Sequence, residues 1–280
     1  MKRRKSGFTV IELLVVLGIV ALLTGLLIPT LSVVRNLAKE TKQKAQFATI
    51  EMALTAFKND YGDFPRSDWL LPPDPSSDYC GAQKLAEALL GWDLLGFHPK
   101  SDFRSNGYND DGFFIYDANN TVFFDQRKGP YLELATADAF RLGNISVLKP
   151  GLFANTTPLA PNTFVLCDVF GTTKIKLANG RTVRAGAPIL YYRANTSEKT
   201  IRGIYNVYDN DALVQIKQQT DAREHPLGRA GSQFQFFYDY IRDPKIDARP
   251  WPCRPDSYIL ISAGADGLYG TSDDICNFGN

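Results

Sequence analysis

The sequence has little of what most catalytic and metal sites use: its 280 residues include only two histidines and four cysteines. His98 and His225 lie far apart in the chain, and neither belongs to an H-E-x-x-H zinc motif or lies beside a nucleophile elbow. No two cysteines have the C-x-x-C spacing that is typical of a metal cluster. We therefore predict that the chain is not an enzyme.

An excess of charge of one sign is also missing. The chain has 31 Lys and Arg residues against 30 Asp and Glu residues, a formal net charge of +1. A protein that binds the phosphate backbone of nucleic acids needs a clustered basic surplus. The composition predicts no such surface and no strongly acidic tail, so we expect no nucleic-acid partner.

The sequence does contain a long apolar run behind a basic N-terminus. From Leu13 to Val34 no residue carries a formal charge, which exceeds the roughly 18 apolar residues that identify a membrane span. The basic residues of 2–5 predict a cytoplasmic N-terminus, which would place 35–280 on the far side of the membrane. Glu12 is the exception in this helix, because a carboxylate at mid-bilayer costs about 2.5–3.5 kcal/mol and marks a functional site. The alternative is that Glu12 lies near the interface and favours the positive end of the helix dipole.

The junction around this run resembles a known family. The residues Lys5-Ser-Gly7-Phe8-Thr-Val-Ile-Glu12 are similar to the leader and N-terminal helix of type IV pilins and type II secretion pseudopilins. The resemblance implies cleavage between Gly7 and Phe8 by a prepilin peptidase and N-methylation of Phe8. It also implies that Glu12 neutralises the N-terminal amine of a neighbouring subunit in a filament core.

The same resemblance implies the partners and the location of the protein. The expected partners are copies of the chain itself in a homopolymeric filament, minor pseudopilins, the prepilin peptidase and an inner-membrane assembly platform. The expected location is the bacterial inner membrane, crossed once, with the C-terminal domain in the periplasm.

The chain divides into four predicted segments. Residues 1–7 form the leader, 8–34 the transmembrane half of the N-terminal helix, 35–60 its amphipathic half, and 61–280 a periplasmic domain. In the amphipathic half, one buried face is predicted from a spacing of three and four residues: Phe47, Ile50, Leu54 and Phe57. Within the domain, 61–160 is predicted to be an irregular decoration and 161–280 to hold a β-sheet and a calcium loop.

The pattern predicts an α+β fold, with the long helix packed on an antiparallel β-sheet in the lollipop arrangement of pilins. A short helix is expected at Lys84–Leu90, and a hairpin at 172–187 around Asn179-Gly180. Strands are expected from apolar and β-branched runs at Phe164–Phe170, Thr173–Ala178, Arg181–Arg184, Ile189–Tyr192, Gly203–Tyr208, Phe234–Tyr238 and Tyr258–Ser262.

A second motif follows the last predicted strand, where Asp266, Asp273 and Asp274 lie within nine residues beside tight-turn glycines. Carboxylates on a bent loop, supplemented by backbone carbonyls, are the ligands that Ca²⁺ prefers. The stretch resembles the C-terminal calcium loop of the type II secretion major pseudopilin. That resemblance implies Ca²⁺ as a cofactor, with Asp266 and Asp274 as ligands and Asp273 and Ser262 in the same site. The alternative is a solvated acidic loop without a metal.

The four cysteines allow disulfides in an oxidising compartment. Three full disulfide pairings are open to Cys80, Cys167, Cys253 and Cys276. We predict a disulfide between Cys253 and Cys276, and the alternative is buried free thiols.

A second, weaker resemblance to the pseudopilins lies on either side of the predicted hairpin. In the pseudopilins, an Asp-x-Trp-Gly-x-Pro-x-x-Tyr run is contiguous; here the hairpin separates Asp168-Val-Phe-Gly171 from Pro188-Ile-Leu-Tyr191.

These observations predict a structural subunit of a type II secretion pseudopilus-like filament that aids protein export. One alternative is a type IV pilin or a minor pseudopilin. An alternative from another class is a membrane-anchored extracytoplasmic domain, with a binding or enzymatic function, that would remain monomeric and carry a ligand pocket.

Overall fold

The computed structural model describes residues 9–68, 79–148, 159–171, 173–177, 180–214, 224–229 and 234–279, with the backbone alone at 26–33 and 146–148. The predicted leader and its cleavage residues Gly7 and Phe8 lie outside the described residues. The chain forms two compact units, Met1–Thr41 and Lys42–Asn280. Helix α1 (Val10–Tyr61) contributes residues to both.

Helix α1 supplies the helical part of the first unit and one wall of the second unit's core. Its predicted buried face is confirmed, since Phe47, Ile50, Leu54 and Phe57 are all at most 4% exposed. The helix ends at Tyr61, and the next residue is a glycine with φ +87°, a conformation that only glycine adopts freely. No helix among the described residues combines the length and apolarity required of a bilayer-crossing segment.

The second unit combines short helices with small antiparallel sheets, which confirms the α+β class. Beyond α1, the helices are α2 (Gly81–Leu90), α3 (Thr121–Phe124), α4 (Leu142–Leu148), α5 (Ile201–Ile204), α6 (Asp211–Val214) and α7 (Gln235–Tyr240). The strands are β1 (Ala139–Arg141), β2 (Phe164–Leu166), β3 (Thr173–Lys176), β4 (Thr182–Ala185), β5 (Leu190–Arg193), β6 (Tyr258–Ser262) and β7 (Ile275–Cys276). In the described chain they pair as β1–β2, β3–β4 and β5–β6–β7, instead of forming the single sheet that we expected.

Strand β6 lies in the middle of the three-stranded sheet and is buried on both faces. Side chains alternate between the faces of a strand. Accordingly, Tyr258 and Leu260 join the core cluster that contains α1, while Ile259 and Ile261 join a second cluster on the other face. Coverage of both faces explains why Tyr-Ile-Leu-Ile-Ser reads as a continuous apolar run.

Two of the predicted strands are wrong. Gly203–Tyr208 falls in α5 and a short 3₁₀ turn, and Phe234–Tyr238 falls largely in α7. The cause in the first case is local capping: the Thr200 hydroxyl accepts the N–H of Gly203 at 3.1 Å, and the Asn206 side chain accepts that of Tyr208 at 3.1 Å. Such caps stabilise helix starts by about 1 kcal/mol, which is comparable to the whole range of β-propensity.

The predicted hairpin is confirmed, and backbone hydrogen bonds join the two chain segments at its base. Strands β3 and β4 pair antiparallel, and the chain leaves and returns at one point, where the Asp168 N–H donates to the carbonyl of Ala187 at 2.8 Å. Just outside this closure, the Ile189 N–H donates to the carbonyl of Leu166, also at 2.8 Å. The two halves of the split motif therefore lie side by side although 172–187 separates them in sequence.

The neck of this hairpin leaves no room for a side chain at Gly186. A Cβ there would lie 1.9 Å from Asp168 Oδ1 and 2.2 Å from the Asp168 carbonyl oxygen. We expect Gly186→Ala to lower the free energy of unfolding by about 3 kcal/mol or more, because overpacking against backbone forces the chain to shift. Chemical denaturation of the full-length protein measures this.

Gly180→Ala is the matched control in the hairpin turn. Gly180 has φ +80° but open space around it, so alanine there should cost only the roughly 1–2 kcal/mol of a left-handed residue. Equal losses in the two variants would contradict the close approach at Gly186.

Candidate functional site

The first candidate site is the start of α1, where Thr9 and Glu12 bond to each other. Glu12 Oε2 accepts the Thr9 N–H at 2.9 Å and the Thr9 hydroxyl at 2.8 Å, while the Glu12 N–H donates to Thr9 Oγ1 at 3.3 Å. This is a capping box, in which a Thr and a Glu three residues later satisfy backbone donors that the first helical turn leaves free. The sequence carries its signature, Thr-x-x-Glu before an apolar run, which is not among the predictions made above.

The surface that follows this cap is apolar and exposed in the part of the chain that the structure describes. The large apolar side chains from Val10 to Leu23 are 50% to 81% exposed. Glu12 itself is exposed and bonds to described residues through Oε2 alone. An apolar helix surface of this extent needs a cover, which either lipid or other helices can supply.

The second candidate site is the loop between β6 and β7, where the structure brings Asp266 and Asp273 together. Asp273 Oδ2 accepts the Asp266 N–H at 2.9 Å, and Asp273 Oδ1 accepts the Thr271 hydroxyl at 2.6 Å. Asp266 Oδ1 in turn accepts the Leu268 N–H at 2.8 Å. Burial raises the pKa of Asp266. Burial also acts on Asp273, but its hydrogen bonds from Thr271 and the Asp266 N–H prevail and lower its pKa.

Asp274 is held from another direction. Its Oδ2 accepts the Gly270 N–H at 2.7 Å and the Tyr240 hydroxyl at 2.8 Å, while Oδ1 lies 3.3 Å from the Thr271 hydroxyl. Burial raises the pKa of Asp274 to about 6. The Asp274 carboxylate therefore ties the acidic loop to α7 through Tyr240.

Ser262 belongs to a different, buried network. Its hydroxyl donates to Asp168 Oδ2 at 3.1 Å, across 94 residues of sequence. The other oxygen, Asp168 Oδ1, accepts the N–H groups of Phe170 at 3.1 Å and Ala187 at 3.2 Å. Burial raises the pKa of Asp168 to about 7. This carboxylate fastens β2, the neck of the hairpin and β6 to one another.

The calcium ligands predicted from the sequence are not assembled in this arrangement. Ser262 is directed to Asp168, and the carboxylates of Asp266, Asp273 and Asp274 accept hydrogen bonds from within the loop and from Tyr240. Within the described ranges, no group of three or more His, Cys, Asp or Glu side chains is placed to hold a metal ion. The residues as arranged do not fit a Ca²⁺ ion, and calcium stays a prediction.

The four cysteines are free thiols in the structure, so it does not contain the predicted Cys253–Cys276 bond. The Cys276 sulfur instead lies 3.2 Å from the Tyr240 hydroxyl, and the Cys253 N–H donates to the carbonyl of Ile241 at 2.8 Å. Burial raises the pKa of Cys276 to about 12. Both thiols thus lie beside the end of α7, and their pairing in an oxidising compartment stays a prediction.

A cavity of about 740 Å³ lies beside the end of β5. Its charged lining is largely paired: Arg66 with Asp68 at 2.7 Å, and the Ser67 hydroxyl with Asp209 at 2.5 Å. Arg202 lies 4.6 Å from the centre of the Tyr238 ring. The lining is therefore polar, and most of its charged side chains already pair with other side chains of the lining.

Comparison with known proteins finds a family match for the N-terminal segment. Residues 2–28 match the family model described as the prokaryotic N-terminal methylation motif. The chain is also 34% identical over 67 residues to the type II secretion system core protein G of Aeromonas hydrophila, an alignment that covers 24% of this chain and 47% of that relative. The chain thus spans about half the length of the curated relative that it matches. No solved structure matches it.

Together the two matches confirm the resemblance to the type IV pilin and pseudopilin family. Members of these families are structural proteins and not enzymes, which agrees with the prediction that this chain is not an enzyme.

Proposed function

We propose that this protein is a structural subunit of a type II secretion pseudopilus-like filament. The observation that carries the proposal is the start of α1, where the match to the N-terminal methylation motif over 2–28 includes an apolar helix surface that is exposed among the described residues. The similarity to a type II secretion core protein favours the pseudopilus over a type IV pilus.

The N-terminus performs three steps in this proposal. A prepilin peptidase cuts between Gly7 and Phe8, and the new amine of Phe8 is methylated. The apolar half of α1 crosses the inner membrane, with the C-terminal unit in the periplasm, and is then extracted into a filament. There Glu12 pairs with the Phe8 amine of a neighbouring copy, and the charge pair sets the register of the subunits.

The processing step predicts the mass of the mature protein. In cells with an active prepilin peptidase, we expect the chain to begin at N-methylated Phe8. Gly7→Ala should leave the leader attached, because the resemblance implies a peptidase that cuts after glycine. Intact-mass spectrometry distinguishes the two chains, with Gly18→Ala as a control that leaves the junction unchanged. A wild-type protein that retains Met1 would overturn the proposal.

A second candidate function is favoured by the cavity beside β5. A membrane-anchored binding domain could use the leader for export alone and hold a polar ligand near Arg202 and Tyr238. Such a protein would stay monomeric after cleavage. Electron microscopy of material sheared from cells that contain the assembly machinery separates the two candidates, since a filament subunit gives filaments and a monomeric binding domain gives none.

Calcium can be tested separately from assembly. A site filled at a hundred times its dissociation constant adds about 2.7 kcal/mol, which raises the melting temperature of a domain of this size by roughly 5–10 °C. Equal melting temperatures in CaCl₂ and in EGTA would identify the stretch as the solvated acidic loop without a metal. A calcium-dependent rise that Asp266→Asn abolishes would establish the ion, and would require Asp273 and Asp274 to leave their present partners.

A further inference from the structure

The segment 106–126 carries an apolar surface that the described fold does not cover. Phe113 is 57% exposed, Val122 65% and Phe124 41%. Val122 and Phe124 flank Phe123 in helix α3, and the centre of the half-buried Phe123 ring lies 6.5 Å from that of Phe113. We call Phe113, Val122 and Phe124 the aromatic patch. Single exposed apolar residues are ordinary, but a contiguous group marks an interaction surface.

A buried arginine packs against one ring of the aromatic patch. The Arg127 side chain is only 2% exposed and pairs with Asp93 at 2.8 Å. The same guanidinium lies 5.1 Å from the centre of the Tyr116 ring and 5.2 Å from that of Phe124. A buried ion pair stacked between two rings fixes Phe124 in place, so its exposed face is presented in advance of any contact.

The surroundings of the patch are acidic. Between residues 106 and 126 the chain has no Lys or Arg but four aspartates: Asp110, Asp111, Asp117 and Asp125. Asp110 pairs with Arg104 from outside the segment. Asp111 and Asp125 are exposed, and the one hydrogen bond described for either carboxylate is a long contact of 3.4 Å from the Asn109 amide to Asp111. A partner for this surface should therefore be basic and partly apolar.

Helix α1 carries a surface of that kind. Arg35, Lys39 and Lys42 follow a spacing of four and three residues, which places them on one face of the helix. The exposed Lys42 ammonium also lies 4.0 Å from Asp138 of its own chain. Residues 34–44 contain four basic side chains against one acidic one, and Val34, next to this face, is 61% exposed. We call Arg35, Lys39 and Lys42 the basic stripe.

We propose that the aromatic patch of one copy docks on the basic stripe of α1 in a second copy. Opposite charge brings the surfaces together, and the long basic side chains lie along the exposed rings of Phe113 and Phe124. Anionic lipid would be repelled by the acidic surroundings of the patch, which argues against the membrane as the occupant. The inference rests on the proposed function, because it names the contact that neighbouring subunits make.

Crosslinking between copies tests the contact directly. Full-length protein labelled with ¹⁵N is mixed with unlabelled protein in membranes that contain the assembly machinery. A carbodiimide then joins carboxylates to adjacent amines. We expect peptides of mixed isotope composition that link Asp111 or Asp125 to Lys39 or Lys42.

Charge reversal makes the test specific. Arg35→Glu leaves every group that the carbodiimide joins in place and should lower the yield of these mixed links at least tenfold. Asp111→Lys with Asp125→Lys removes the linked carboxylates themselves and is used only in the following combination. Combination with copies that carry Arg35→Glu and Lys42→Glu should restore links of the reverse sense, now from the carboxylates introduced on the stripe to the amines introduced on the patch. Asp247→Lys with Asp256→Lys makes the same change of charge at exposed sites elsewhere and should leave the yield unchanged.

The possible results separate the two proposals. Mixed links at other positions, with none between the patch and the stripe, would overturn this contact and leave the filament proposal standing. Links from the patch to a different protein or to lipid would overturn it as well. An absence of any mixed links would overturn both.

Discussion

Replacing Glu12 by glutamine is expected to abolish filament assembly while cleavage after Gly7 and methylation of Phe8 continue. Glutamine can still accept the Thr9 N–H and hydroxyl, so the capping box at the start of α1 survives. The substitution removes only the charge. If Glu12 pairs with an amine in a dry filament core, losing one partner of that pair costs about 3–5 kcal/mol per contact. Association should then fall at least about a hundredfold.

Thr9→Ala is the control that separates charge from capping. It removes the hydroxyl that Glu12 bonds to, at a cost of about 1 kcal/mol to the helix start, and leaves the carboxylate in place. We expect Thr9→Ala to assemble and Glu12→Gln not to, as measured by the yield of sheared filaments and by electron microscopy. The reverse result, with Glu12→Gln assembling normally, would show that Glu12 serves the helix cap and not the register of subunits.

Where one local rule acts alone, the sequence was sufficient to predict the fold. The buried face from Phe47 to Phe57 follows from helical spacing, and β6 follows from a short run of large apolar residues. Gly203–Tyr208 failed because the caps at Thr200 and Asn206 compete with the strand preference of the residues after them. Whether a cap or a strand forms there depends on the backbone geometry, which the residue types alone do not determine.

The sites were harder to predict because their partners are distant in sequence. The sequence predicts Ser262 in a calcium loop, yet its hydroxyl bonds to Asp168, and this pairing depends on the hairpin neck lying against β6. The sequence places Asp274 beside Asp266, but Asp274 bonds to Tyr240 of α7. The Thr9–Glu12 pair, in contrast, is local, and the Thr-x-x-Glu spacing alone indicates it.

Asp168 carries the largest expected pH effect in the domain. Its pKa rises from 3.8 to about 7 in the folded chain because burial penalises the carboxylate. The folded state therefore binds the proton more tightly than the unfolded state between these two values. This contribution to stability is fully present below pH 3.8 and is lost as the pH rises through about 7. At about 1.4 kcal/mol per unit, the whole change is roughly 4 kcal/mol.

Other groups titrate in the same range, so a difference between variants is the informative measurement. Asp274, raised to about 6, acts in the same direction, whereas His225, lowered to about 4, acts in the opposite one. Asp168→Asn keeps an oxygen for the N–H groups of Phe170 and Ala187 and cannot titrate. We expect its stability relative to wild type to increase by roughly 2.5–3 kcal/mol between about pH 5 and pH 8, since about two of the three pH units of the shift lie in that range. Urea denaturation at each pH measures this difference.

Asp168→Ala distinguishes the charge from the hydrogen bonds. It leaves the buried N–H groups of Phe170 and Ala187 without their acceptor, which costs about 1–3 kcal/mol for each. The alanine variant should therefore be less stable than the asparagine variant at every pH. If asparagine and wild type instead kept a constant difference across this pH range, Asp168 would already be ionised throughout it. Its role would then be to accept hydrogen bonds as a permanent anion at the junction of β2, the hairpin neck and β6.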